Sequence, residues 1–299
     1  MNLRGKKAFV VGVGDDQGFG WSIAKALFEA GATVYLGTWA PIYNIFMNSW
    51  QSGKWDTSRV CKDGKLFSFA KVYPIDALYD RAADVPESVR QNKRYQNLSS
   101  YTIEELANKM QEEAGSIDIL IHSLANAPEV KNPLLATSRN GYLAALSSSS
   151  YSLISLAQHF APHMPKGSSF LSLSYAASTK AIPKYGGGMS SAKAALESDV
   201  RTLAYEMGRQ WGHRINCISA GPLRSRAARA IGMIDDMISY SIANSPLMKE
   251  LDAEEVAAAA LFLVSPLASA ITGSTLFVDN GLHAVGVASD SASLQKDAP

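Results

Sequence analysis

Tyr175 and Tyr185 stand ten positions apart, and Lys193 follows the second by eight, in Tyr175-Ala-Ala-Ser-Thr-Lys-Ala-Ile-Pro-Lys-Tyr185-Gly-Gly-Gly-Met-Ser-Ser-Ala-Lys193. A phenol beside an ammonium can steady an oxygen that gains negative charge. The cation favours phenolate, so the hydroxyl gives up its proton or its hydrogen bond more readily. The same stretch also reads as a Tyr-rich loop leading into an ordinary helix. The elements around it decide between the two.

Those elements alternate from end to end. Lys7 to Gly12 is a continuous apolar run of the kind a buried parallel strand needs. Ile23, Ala24, Leu27 and Phe28 follow at helical spacing, and Gly31 stops that helix. Further strands are expected at Thr33–Gly37, Phe69–Ile75, Ile117–His122, Ser168–Leu173, Arg214–Ser219 and Ser274–Val278. Between them, helices are expected at Thr102–Glu113, about 140–160, about 189–208 and Asp252–Val264. The first of these carries Thr102 and Glu105 as a capping box. A polar excursion fills the space from the third strand to about Ser100. This pattern predicts an α/β fold, a single doubly wound parallel sheet of Rossmann-like type. No Pro/Gly-rich linker divides it, so residues 1–299 read as one domain.

Composition narrows the function. The 299 residues are 47% hydrophobic and 18% charged, enough for a sizeable core and too apolar for disorder. The net charge is +1 with no basic tract, so no nucleic-acid partner is expected. Val256 to Val264, the longest apolar run, is far too short to span a bilayer, so no membrane insertion is expected either. Two cysteines, Cys61 and Cys217, give no disulfide framework and suit a reducing compartment. The five histidines have no metal-ligand spacing, and no metal is expected. The first strand begins close to Met1 and leaves no room for a targeting peptide. Either the chain works where it is made or a targeting segment has been removed.

Gly12-Val-Gly14-Asp-Asp-Gln-Gly18-Phe19-Gly joins the first strand to the first helix. A glycine turn there lets a pyrophosphate approach backbone amides and the positive end of the helix dipole. Asp15 and Asp16 would repel phosphate and should point outward. The second strand ends in Gly37-Thr38-Trp39, where a ribose-binding acid usually sits. An indole can stack on adenine, and no arginine lies near to attract a 2′-phosphate, so NADH/NAD+ is expected over the phosphorylated cofactor. Asp76-Ala77 places a carboxylate at the end of the third strand, within reach of an adenine amino group. Ser123-Leu124-Ala125-Asn126 lines the end of the fourth, and Ala220-Gly221-Pro222-Leu223 that of the sixth. All three obey the rule that ligands lie at the carboxyl ends of such strands.

The Gly14-x3-Gly18-x-Gly20 spacing resembles that of the short-chain dehydrogenase/reductases, most of which carry Tyr-x3-Lys. Here Met189 stands four before Lys193 and the tyrosine has moved upstream to Tyr185. That displacement resembles the enoyl-[acyl carrier protein] reductases of type II fatty-acid synthesis. The likeness extends through Gly18-Phe-Gly-Trp21, Gly37-Thr-Trp39, Asn92-Lys-Arg-Tyr95, Asp118 to Asn126, Tyr185 to Glu197 and Ser219-Ala-Gly-Pro-Leu223. Seven residues between Tyr185 and Lys193, and the excursion from Asp80 to Ser100, resemble the plant-plastid, chlamydial and apicomplexan branch. Phe19 stands where Tyr is common, and Lys184 where Gly is common.

The resemblance implies that NADH reduces a trans-2-enoyl thioester carried by acyl carrier protein. Tyr185 would hydrogen-bond the thioester oxygen, Lys193 would hold the nicotinamide ribose, and Tyr175 would flank the acyl chain and assist. The substrate would meet Asn126, Tyr175, Tyr185, Met189, Ala227, Ala228 and Ile231, the last three from a helical lid at about 224–247 with few apolar anchors. Arg224, Arg226 and Arg229 stand at its entrance, where they either face the carrier protein or form a solvated helix face. The helices near 140–160 and 189–208 would pair subunits into a homotetramer. The compartment implied is a plastid stroma (chloroplast or apicoplast) if a leader has been removed, otherwise a bacterial cytoplasm. Two other readings fit the same fold: a 3-oxoacyl thioester or carbonyl reductase, disfavoured by the displaced tyrosine, and a non-catalytic NAD(H)-sensing protein, disfavoured by retention of both Tyr185 and Lys193.

Overall fold

The computed structural model describes residues 1–229, 232–291 and 294. Seven strands, β1 (Lys7–Val11), β2 (Thr33–Trp39), β3 (Lys71–Ile75), β4 (Ile119–His122), β5 (Ser169–Ser174), β6 (Arg214–Ala220) and β7 (Thr275–Val278), form one sheet. Every pairing is parallel, in the order β3-β2-β1-β4-β5-β6-β7. The order reverses between β1 and β4. Beyond that pair the two connecting chains diverge to opposite faces and open a crevice at the carboxyl ends.

Among the described residues ten helices surround the sheet: α1 (Phe19–Glu29), α2 (Tyr43–Gln51), α3 (Glu87–Arg90), α4 (Ile103–Glu113), α5 (Arg139–Leu146), α6 (Ser152–Phe160), α7 (Met189–Trp211), α8 (Arg226–Arg229), α9 (Ile234–Asn244) and α10 (Ala253–Val264). On one face α1, α2 and α10 pack Trp21, Ile23, Leu27, Phe46, Val256 and Leu263 against Val10, Leu36, Ile121 and Ile218. On the other, α4, α6 and α7 pack Leu106, Met110, Leu153, Leu156, Leu196 and Val200 against Phe9, Val11, Leu120 and Phe170. Alternate residues of one strand feed opposite cores, which is why the strands read as unbroken apolar runs.

The structure departs from the sequence reading in four places. Strand β2 continues past Gly37 to Trp39, because Thr38 and Trp39 still pair with Pro74 and Ile75. Helix α2 was not expected, although Tyr43, Phe46, Met47 and Trp50 have helical spacing and all pack into the first core. The helix expected near 140–160 is interrupted by a π-helical turn, Ser147–Tyr151. Helix α7 runs on to Trp211 and stops at Gly212, whose φ of +69° ends it. The expected capping box on α4 is present, with the Glu105 carboxylate accepting from the Thr102 amide and hydroxyl.

Candidate active site

Tyr175 leaves the end of β5 and Tyr185 arrives from the loop ahead of α7. Their rings meet edge to face, centroids 5.3 Å apart at 64°. Tyr185 also packs on Met189, which belongs to a small cluster with Ala127 and Ala145. Met189 is only 5% exposed. Expected to line the substrate, it sits in the first turn of α7 in the cluster against which Tyr185 packs. Burial, and then the neighbouring Tyr175, raises the Tyr185 phenol above its ordinary range. Tyr175 is pushed up to about 12 by burial and then by Asp279. The expectation that the ammonium favours phenolate is therefore not met, since desolvation sets both groups. Both phenols are neutral near pH 7 and equipped to donate.

Three glycines fix the loop. The Gly186 amide donates to Val130 O at 3.1 Å and the Gly187 amide to Asn132 O at 3.0 Å. A Cβ on Gly186 would lie 1.8 Å from Asn132 O, and one on Gly187 would lie 2.4 Å from the Glu129 carbonyl carbon. Backbone lies directly on backbone, which only glycine permits. Lys184, just before Tyr185, has φ +66°. Glycine is the relaxed residue in this left-handed conformation, and that accounts for the position at which Lys184 departs from the family pattern.

Lys193 projects from α7 and is 5% exposed. Its Nζ donates to Leu173 O at 2.8 Å, which ties the ammonium to the last turn of β5 and leaves two donors. Burial pushes its pKa down to about 8, against the opposing pull of Cys217 and Glu197. Glu197, one helical turn on, accepts from the Ser174 hydroxyl at 2.5 Å. Sequence reasoning gave Glu197 and Ser174 no role. Nor did it single out His122, which is fully buried between Ser172 Oγ (2.8 Å) and Ser152 Oγ (2.9 Å). The Ser152 hydroxyl donates to Ser148 O, so it accepts from His122 Nε2–H and leaves Nδ1 to accept from Ser172. Burial, then the charge of Lys193, holds this histidine neutral with a pKa of about 3. Above it, the Ser149 hydroxyl bonds both the amide and the carbonyl of Asn126, so the π-helical turn fixes the β4 end. A signal was present: four serines in mid-helix compete for backbone partners.

The cofactor-side residues gather along the same carboxyl edge. Gly12 (φ +100°) lies against β4, where a Cβ would stand 2.1 Å from Ser123 O. Among the described residues no side chain caps α1, whose N-cap is Gly18, and its first turn, opening with Phe19, carries no acid. Its amides are thus left for an anion. Asp15 Oδ1 accepts from the Gln17 amide and Asp16 Oδ2 from the Ser58 hydroxyl, so both carboxylates are engaged locally. Trp39 is 46% exposed at the end of β2, opposite Ile75. Asp76 is buried, accepting from Tyr95 OH (2.5 Å) and the Leu78 amide (3.2 Å), with Ala77 half-exposed beside it. Gly14, Ser123 and Leu124 are half-buried, and Ala125 and Asn126 are exposed. Ala220, Gly221 and Pro222 are buried and Leu223 half-buried, and the Gly221 amide donates to Val278 O. An uncapped helix, a backbone-tight glycine and an open indole fit a dinucleotide lying across the switch point.

The expected lid is in two parts. Helix α8 includes Ala227 and Ala228, the latter half-buried. Ile231 lies outside the described residues. Helix α9 buries Ile234 and Ile238, so the second part is better anchored than its composition suggested. Arg224 pairs with Asp235 at 2.7 Å and with Glu250 at 3.7 Å, which leaves Arg226 and Arg229 as the exposed guanidiniums expected there. Among the described residues no group of three or more potential ligands could hold a metal ion, and no helix is long and apolar enough to cross a membrane.

A family model described as Enoyl-(Acyl carrier protein) reductase matches residues 96–283. A chloroplastic NADH enoyl-[acyl-carrier-protein] reductase of Oryza sativa is 60% identical over 294 residues, covering 98% of this chain and 78% of that protein. The enoyl-acyl-carrier-protein reductase of Plasmodium berghei, crystallised with triclosan, superimposes with a TM-score of 0.92 at 51% identity, covering 94% of this chain and 98% of that one. The corresponding reductase of Anaplasma phagocytophilum, in complex with NAD, does so with a TM-score of 0.75 at 30% identity, covering 99% and 96%. The likeness runs along nearly the whole length, in sequence and in fold, and the chain belongs to the NADH-dependent enoyl-[acyl carrier protein] reductases.

Proposed function

We propose that Tyr185 and Lys193 carry the reduction of trans-2-enoyl thioesters of acyl carrier protein in this chain. When bound, NADH would supply a hydride to the β-carbon of the double bond, and a proton taken up at the α-carbon, from solvent directly or by way of Tyr185, completes the reduction. Lys193, anchored to Leu173 O, directs its two remaining N–H groups to the nicotinamide ribose and fixes positive charge near the reacting carbons. Tyr185, held neutral by burial, donates to the thioester oxygen as that oxygen gains charge. One such donor typically contributes about 2.7–4 kcal/mol. Tyr175 holds the Tyr185 ring edge-on and flanks the acyl chain, together with Asn126, Ala227, Ala228 and Ile231. Trp39, Asp76 and Ala77 take the adenosine end, the α1 amino terminus takes the pyrophosphate, and Ala220 to Leu223 take the carboxamide. The observation that carries this reading is a neutral, half-buried phenol on one loop with a buried ammonium one element away.

The test is loss of NADH absorbance with crotonyl thioester and with acetoacetyl thioester. Turnover of the first alone is expected. Turnover of the second alone would make the chain a carbonyl reductase, and turnover of neither would leave a dinucleotide-binding protein. The chloroplastic relative supports a plastid as the compartment, and the family resemblance supports a homotetramer as the assembly.

A further inference from the structure

The excursion between β3 and α4 is a closed arm rather than a loose loop. It leaves after Asp76, makes the short helix α3, and returns so that the Asp76 amide donates to Tyr101 O at 2.7 Å. At its centre Tyr95 is 8% exposed, with its ring edge-to-face on Tyr101 at 5.0 Å. Its backbone closes turns on both sides, through Tyr95 N to Asn92 O and Leu98 N to Tyr95 O. The hydroxyl of this fixed ring donates to Asp76 Oδ2 at 2.5 Å, and the Leu78 amide holds Oδ1. Asp76 is 2% exposed and follows Ile75, the register partner of exposed Trp39. The carboxylate is therefore pinned from two sides, one residue beyond the register partner of Trp39. Each oxygen keeps a second lone pair.

We propose that Tyr95 is a positioning residue for purine recognition: it holds the Asp76 carboxylate in the one orientation from which a free lone pair meets the 6-amino group of adenine. The arm thereby acts as a specificity element of the cofactor site. This rests on the reading that Asp76 faces adenine. A freed carboxylate turns about its Cβ–Cγ bond and loses its aim, while indole stacking, which needs only a purine face, persists.

The test uses NADH and its hypoxanthine analogue, reduced nicotinamide hypoxanthine dinucleotide, which carries an oxygen in place of the 6-amino group. The parent chain should prefer NADH by about tenfold or more in kcat/KM, the ratio expected for one hydrogen bond to a carboxylate. Tyr95→Phe should shrink that preference to about threefold or less by raising KM for NADH alone, with kcat unchanged for both. General damage to the site would move both cofactors equally and would overturn the proposal. If Tyr95→Phe does not fold, Tyr95→Met removes the donor with a flexible apolar chain that adapts to the vacated space, and carries the same expectation. Adding Tyr95→Phe to Asp76→Asn should then change the ratio no further. A parent chain indifferent to the 6-amino group overturns the Asp76 reading and the proposal with it. A parent that discriminates, with a Tyr95→Phe chain that discriminates equally, overturns the role of Tyr95 alone.

Discussion

At the scale of single residues, the spacing of Tyr175, Tyr185 and Lys193 was legible, and their protonation was not. Sequence gives neighbours along the chain, whereas desolvation comes from what packs around a group in space. Removing the half-buried donor by Tyr185→Phe should lower kcat/KM for an enoyl thioester about 10²–10³-fold, with the NADH dissociation constant within about twofold of the parent. An unchanged kcat in steady-state assays would take Tyr185 out of the reaction. Lys193, with its pKa pushed down to about 8, predicts a pH effect whose sign is set by a cation that binds while protonated. NADH affinity should be level below that value and fall as pH rises through it, because the ammonium is lost. Fluorescence titration between pH 6.5 and 9.5 checks this, and Lys193→Ala should bind weakly with a flat profile over the range. A parent profile as flat as that of the variant would show that the ammonium does not contact the cofactor. Trp39 stands 46% exposed where a partner for a 2′-phosphate would be needed. Comparable kcat/KM for NADH and NADPH would contradict its stacking role.

At the scale of elements, most strands were readable because a parallel strand buried on both faces is apolar throughout. The breaks within helices were not. The π-helical turn at Ser147–Tyr151 arises from tertiary bonds between Ser149 and Asn126, which no local propensity records. Helix α2 was legible in its Tyr43, Phe46, Met47 and Trp50 spacing and was overlooked amid polar neighbours. The Gly186-Gly187-Gly188 run marked a branch in the sequence, and its physical cause emerges only where it lies on the 129–132 backbone. Gly186→Ala should lower stability by about 1–3 kcal/mol through overpacking, and its kcat should fall as Tyr185 is displaced. A thermal midpoint and kcat equal to the parent would show that the loop can shift without cost. In the lid, the buried Ile234 and Ile238 anchor the second helix. Hydrogen exchange with NAD+ alone, and with NAD+ plus a phenolic inhibitor, should show added protection over residues 224–229 and little change over 234–244. Equal exchange at 224–229 in both samples would make that segment structural.

At the scale of the whole molecule, alternation of strand and helix implied a doubly wound sheet, and the observed order places Gly12 and Ser123 side by side at its switch point. What sequence alone could not rank is which outer faces stay open, since exposure depends on how all layers stack. Two faces carry exposed apolar side chains that a neighbouring copy could cover. On the first, Leu143 (53% exposed) and Tyr151 (43%) lie along α5 and the π-helical turn, and Tyr205 (67%) on α7. On the second, β7 is an edge strand with Leu276 and Phe277 more than a third exposed, and Phe277 stacks on His283 at 4.1 Å. An uncovered edge of this kind invites association unless a neighbour covers it. If each face meets its own copy about a separate two-fold axis, the result is dihedral symmetry with four subunits, the homotetramer proposed above. Light scattering should therefore return four times the 32.1 kDa of one chain. Tyr205→Asp places a charge on the first face only, far from the cofactor edge, and should yield dimers that pair through β7. Phe277→Asp should yield dimers that pair through α5 and α7, and the two changes together should yield monomers. A parent that scatters as a monomer would refute both faces. A tetramer that survives both substitutions would place its contacts elsewhere on the molecule.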